Sequence, residues 1–168
     1  GFLLVVELAS DEPVVAAGEA WLAERGGVTG LGAGAVDALR AVEGAAEDPA
    51  RASSLRFRVT ARASRLAAVH TALRRAGAAV VVHPGLGLLC ARFPLAGPED
   101  VEAAFGAAQA AARDGEGHAQ LAAAPAFARR GRDVFGPETS ALPLLRRLRA
   151  GFDPKGVLNP GRMAGGLP

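Results

Sequence analysis

The 168 residues suffice for one domain, or one domain with a small appendage. A formal net charge of +2, with acids and bases interspersed, offers no basic stripe for nucleic acid. A single cysteine, Cys90, excludes an intramolecular disulfide and a cysteine-built zinc site, and no apolar run approaches the ~18 residues of a membrane span.

Phe2 to Leu8 is a short apolar run suited to a buried strand, and not to a leader peptide, since it has neither basic start nor cleavage site. With no initiator Met before it, this opening points to a piece of a longer protein. Asp11-Glu12-Pro13 then gives an acidic helix entry with Pro in the first turn. Val14, Gly18, Trp21 and Leu22 share a face of that helix, which Gly26-Gly27 ends. Gly30 to Ala35 (GLGAGA) has the outline of a dinucleotide fingerprint. A helix end precedes it where the mechanism needs a strand, so it reads as a glycine-rich connection. A second short helix is expected around Val36, Leu39 and Val42.

Residues 44–54 have linker composition and divide a front piece, 1–43, from a main piece, 55–168. Leu55, Phe57, Val59 and Ala61 alternate with Arg56, Arg58, Thr60 and Arg62, which predicts a half-buried strand with one wet face. Ser64 is expected to cap a helix with Leu66, Val69 and Leu73 inward, stopped by Gly77. Strands over 78–82 and 88–93 flank His83-Pro84-Gly85-Leu86-Gly87. A strand, a helix and a hairpin in that order form half of a ferredoxin-like unit. Pro98-Glu99-Asp100 opens a further helix with Val101, Ala104, Phe105 and Ala108 inward. His118 to Ala123 is a final, weak strand, and a last helix from Pro143 buries Leu145, Leu148 and Phe152. The expected fold class is α+β, an antiparallel sheet with helices packed on one face.

The chemistry-bearing candidates are few. No nucleophile elbow is present, and His70 and His118 lack metal-ligand spacing. His83 closes a run of valines at the mouth of a hairpin. There it either faces a ligand from one side of the sheet or is satisfied by a backbone carbonyl.

The tail is the richest segment. The chain has no Ile or Tyr and spends its only Lys, Lys155, its only Asn, Asn159, and its only Met, Met163, between Gly151 and Met163. Asp153-Pro154 and Asn159-Pro160 demand turn or extended backbone, Gly156 and Gly161 permit it, and Val157-Leu158 reads as an apolar plug between the turns. A tail with this much turn chemistry is expected to dock on something.

Residues 148–162 (LRAGFDPKGVLNPGR) resemble the C-terminal signature of FAD-linked oxidases of the vanillyl-alcohol-oxidase type, in particular the FAD-binding E subunits of bacterial glycolate oxidase. The segment 55–93 is similar to their cap domain, with weaker support. The resemblance implies that residues 1–168 are one cap, or substrate, domain. It closes over an FAD held by an N-terminal domain absent from this chain, and hydride passes from C2 of a small 2-hydroxy acid to the flavin. It further implies other subunits of a glycolate oxidase-like complex as partners, no nucleic acid, no direct membrane insertion, and a cytoplasmic protein that meets the inner membrane face only through those subunits. Asn159, Pro160, Gly161 and Arg162 are the implied contacts with the flavin domain, and His83 the substrate-facing candidate.

Related 2-hydroxy-acid dehydrogenases carry H-x-G-x-G-x-x-H on the cap hairpin, whose histidines hold a divalent metal. Here the string is His83-Pro84-Gly85-Leu86-Gly87-Leu88-Leu89-Cys90, and a lone imidazole with a thiol is a poor hard-cation site. No metal is expected, and the chain alone is expected to be colourless and inactive. The other readings are a ferredoxin-like ligand- or RNA-binding module, which for RNA needs stacking aromatics on its central strands, and a structural subunit without catalysis.

Overall fold

Apolar residues at every second position make β1, Ser54–Thr60, a strand with one dry face: Leu55, Phe57 and Val59 are buried, while Arg58 and Thr60 are exposed. A computed structural model describes residues 11–26, 29, 34, 53–136, 141–158 and 160. The chain divides into two compact units, 1–45 and 46–168.

In the first unit the described helix is α1, Glu12–Ala23, with Pro13 in its first turn. The face that carries Val14 and Trp21 is not covered, for both are more than half exposed and no residue of α1 is buried. Arg25 instead lies over the Trp21 ring, 3.7 Å from its centroid. The expected strand at 2–8 and the short helix near 36–42 lie outside the described residues, as does the 30–35 segment apart from Gly34.

The second unit runs β1, α2 (Leu66–Arg75), β2 (Ala79–His83), β3 (Leu88–Pro94), α3 (Glu99–Asp114), β4 (Ala119–Ala123), a single turn of helix α4 (Ala126–Arg129), and α5 (Leu142–Phe152). The strands form an antiparallel sheet in the order β2-β3-β1-β4. A βαββαβ order with the first and third strands central is the ferredoxin-like arrangement, so the fold is α+β as expected.

Helices α2 and α3 pack on each other and on one face of this sheet. Leu66, Val69 and Leu73 of α2 and Val101, Ala104, Phe105 and Ala108 of α3 are buried there, as their spacing predicts. Phe57 anchors the core, edge-on to Phe93 at 5.8 Å and to Phe105 at 5.0 Å between ring centroids. Alanines supply most of the rest of α3, which lets that helix lie close to the strands.

Helix α2 ends in a Schellman motif. Ala78 N donates to Leu73 O and Gly77 N to Arg74 O, with Gly77 at φ +89°. Its start departs from expectation. Ser64 does not cap it but sits inside a 3₁₀ turn, Ala63–Arg65, which absorbs the corner between β1 and α2.

Helix α5 corrects a second expectation. It forms where predicted, yet Leu142 is the apolar side chain it buries, while Leu148 is 46 % and Phe152 84 % exposed and Leu145 half-buried. Among the described residues no helix is long and apolar enough to cross a membrane.

Candidate functional site

Two features of the second unit carry chemistry: the sheet face turned away from α2 and α3, and the turn that follows α5.

On the sheet, the even-numbered residues of β1 and β3 point away from the helices. Their register sets Arg56 opposite Arg92, Arg58 opposite Cys90, and Thr60 opposite Leu88. On the outer strands, Val81 faces Cys90, His83 faces Leu88, and Gln120 faces Arg58. Arg58 and Arg92 are exposed, Arg56, His83, Cys90 and Gln120 half-buried. Buried Ser54 accepts a hydrogen bond from Nε of Arg92 at 3.1 Å and fixes that guanidinium. None of the four strands contains Asp or Glu. Both aromatics of the central strands, Phe57 and Phe93, belong to the core, so these strands offer no aromatic on this face for bases to stack on.

His83 ends β2 as anticipated, half-buried and on the same face as the arginines. The hairpin behind it is shaped by Gly87, left-handed at φ +62°, where a Cβ would lie 2.6 Å from the carbonyl oxygen of Ala61. Gly85 has open space around it. The second glycine of the hairpin string thus has a backbone reason to be glycine, independent of any ligand. Among the described residues no group of three or more His, Cys, Asp or Glu is placed to hold a metal ion. His118 is engaged elsewhere, its Nε2 against the carbonyl oxygen of Phe135.

The turn after α5 is built around one carboxylate. Asp153-Pro154-Lys155-Gly156 is a β-turn, with Gly156 N donating to Asp153 O at 3.0 Å and Gly156 at φ +65°. The Asp153 carboxylate accepts from Val157 N and Leu158 N, both at 2.9 Å. It also pairs with Arg149 one helical turn back at 3.3 Å, and Arg149 reaches the carbonyl of Leu158 at 3.0 Å. Both side chains of this pair are buried, below 10 % exposure. The backbone donors, Leu158 foremost, outweigh partial burial and hold the Asp153 carboxyl below the usual carboxylate range.

The expected apolar plug is therefore reversed. With its polar groups satisfied internally, the turn presents Val157 and Leu158 to solvent at 69 % and 61 % exposure, beside Phe152. Pro160 is exposed in the following turn, while Asn159, Gly161 and Arg162 lie outside the described residues.

Because the folded-state pKa of Asp153 is lowered, its contribution is complete above the ordinary value of about 3.9 and is lost as pH falls through the lowered one. Protection factors at Val157 and Leu158, taken against the intrinsic exchange rate at each pH, should fall as the carboxyl protonates at a pH below the ordinary carboxylate range, and Asp153→Asn should lower them at neutral pH too. Protection unchanged in the variant would remove the carboxylate from this role.

Two diphosphate-binding possibilities can be tested on the helix entries. β1 reaches α2 through a 3₁₀ turn without glycine. The entry to α3 is filled by its own carboxylate, since Asp100 accepts from Ala96 N at 2.8 Å and Gly97 N at 3.1 Å. Neither entry fits a dinucleotide diphosphate. The shallow depression beside it, lined by Ser53, Leu95, Ala96, Gly97, Pro98 and Phe127, has no titratable lining residue. Comparison with protein-family models, with curated proteins and with solved structures finds no match to this chain.

The sequence pointed to His83 and the tail but missed the arginine face. Its signal lay in Arg56, Arg58 and Arg92, which alternate with apolar residues on two strands.

Proposed function

We propose that this chain is the substrate-side cap of an FAD-dependent, glycolate-like 2-hydroxy-acid oxidoreductase. The observation that carries the proposal is the Asp153 turn. The described part of the segment that resembles the flavoenzyme signature, through Leu158, makes a turn hydrogen-bonded within itself whose apolar side chains are exposed. Exposed apolar surface held in a fixed shape is surface meant to be covered, and the proposed cover is a flavin-binding domain.

Neither the entry to α2 nor the entry to α3 fits the FAD diphosphate, and in this reading the cofactor would be held by that other domain, to which the redox chemistry would belong. What this chain supplies is position. Arg58 is exposed on its sheet, and His83 stands at the end of the same face. The structural-subunit reading uses the same tail and differs only in lacking turnover.

The test is to express the chain together with its flavin-binding domain and measure bound FAD and glycolate-dependent flavin reduction. Asn159→Ala and Arg162→Ala should lower flavin retention or turnover in the joined protein, while the melting temperature of the chain alone stays nearly unchanged. If both variants unfold the chain alone and leave flavin content intact, the tail serves only its own domain. Stoichiometric FAD retained by the chain alone after desalting would equally overturn the division of labour.

A further inference from the structure

We propose that the free edge of β2 pairs with β2 of a second copy of this chain, antiparallel and about a two-fold axis at Val81, so that two sheets join into one. The two edges of the sheet differ. At β4 the chain covers its own edge: Leu121 N donates to the carbonyl oxygen of Val134 at 2.7 Å, and Gly136 lies so near the carbonyl oxygen of Ala119 that a Cβ there would clash. β2 forms the other edge, and no strand among the described residues pairs with its outer side. Its sequence, Ala79-Val80-Val81-Val82-His83, lacks the lysine or proline that commonly keeps an edge single, and its register with β3 runs without a bulge.

The ladder decides which groups are open. Ala61 N donates to Gly87 O and Leu95 N to Ser53 O, both at 2.8 Å, so the odd-numbered residues of β3 turn their backbone to β1. Its even-numbered residues turn to β2, where Cys90 meets Val81 and Arg92 meets Ala79. The N–H and C=O of Val80 and Val82 therefore point outward, and neither residue has a partner on that side among the described residues. The open stretch ends at Ala78, whose N–H reaches Leu73 O and whose C=O accepts from Arg74 Nη1 at 3.2 Å. At its other end Pro84 has no N–H, and its C=O accepts from Gly87 N.

This short edge is complementary to itself. A two-fold axis at Val81 sets Val80 against the partner's Val82 and Val82 against the partner's Val80, so every open donor meets an open acceptor. Val81 then stands against the partner's Val81 as the closer, non-hydrogen-bonded kind of pair, which covers a side chain now 44 % exposed. Ala79 meets the partner's His83, and no like charges are opposed. A peptide from another protein would have to bring this register with it, whereas a second copy brings it by symmetry. With β4 closed, each sheet has one edge to offer, so pairing stops at two copies and builds no filament. One short strand buries less than the roughly 1,600 Å² of a standard interface, so the dimer is weak and forms with concentration. The inference does not depend on the function proposed above.

Sedimentation velocity of the full chain across a hundredfold range of concentration should show a monomer passing reversibly into a dimer and into nothing larger. Amide exchange at Val80 and Val82 should slow at least tenfold from the lowest to the highest concentration, while Val81, bonded to β3, stays protected throughout. Val82→Pro removes an outward donor, which an edge strand tolerates, and should abolish the dimer with the circular dichroism unchanged. Val81→Lys and Val81→Glu, at an exposed position, should each be monomeric alone. Mixed in equal amounts they should form the dimer again, because residue 81 meets its own copy. Should Val82→Pro disturb the fold, the charge pair alone decides. A monomer at every concentration, Val80 and Val82 already protected at the lowest one because another segment fills the edge, a dimer that survives in folded Val82→Pro, or no dimer from the mixed charge variants would each overturn the pairing.

Discussion

Phe57→Ala should cost the sheet unit about 3–5 kcal/mol, a large fraction of the roughly 5–15 kcal/mol that holds an ordinary domain folded. The residue is 2 % exposed, and its ring meets Phe93 and Phe105 edge-on, so truncation removes two aromatic contacts and leaves a cavity between β1, β3 and α3. The alanines of α3 cannot grow to fill that space, which keeps the cost high. Urea denaturation followed by circular dichroism would measure it. Val81→Ala, on a residue 44 % exposed across the sheet, is the control and should shift stability by no more than about 0.5 kcal/mol. If Phe57→Ala behaves like the control, the core is centred elsewhere.

Phe152→Asp combined with Val157→Asp should have the opposite profile. Neither side chain packs in its own unit, at 84 % and 69 % exposure, so the stability of the chain alone should change by no more than about 0.5 kcal/mol. Association with the proposed flavin-binding domain should weaken by roughly thirtyfold or more, the equivalent of about 2 kcal/mol for an interface anchor replaced by a charge. The pair is chosen because it leaves Asp153 and Arg149 in place, so the turn keeps its shape while its apolar surface is lost. Titration calorimetry between the two domains reads the effect. A variant chain that melts far below the parent, with association unchanged, would mean that these residues pack inward and that the face is no docking surface.

What was legible in the sequence was whatever depends on short range. Alternation along β1, the spacing of Leu66, Val69 and Leu73, and that of Val101, Ala104, Phe105 and Ala108 state which side of each element is dry, because side-chain direction repeats every two residues in a strand and every 3.6 in a helix. Asp153-Pro154-Lys155-Gly156 announces a turn, since each residue type suits its place in one. Ser64 shows the limit even at this range: a competent cap residue was displaced when the corner out of β1 wound into a 3₁₀ turn.

The candidate site needed the tertiary structure. Arg56 and Arg92 become neighbours only through the register of two strands joined by a helix and a hairpin, and nothing local to either residue encodes that meeting. The same holds for α5. Its sequence marks Leu145, Leu148 and Phe152 as the inward side, but whether a stripe is covered depends on a second surface distant in sequence, and within its own unit Leu148 and Phe152 remain exposed while Leu145 is half-buried. Periodicity determines the direction in which a side chain points, and only packing decides what it meets there.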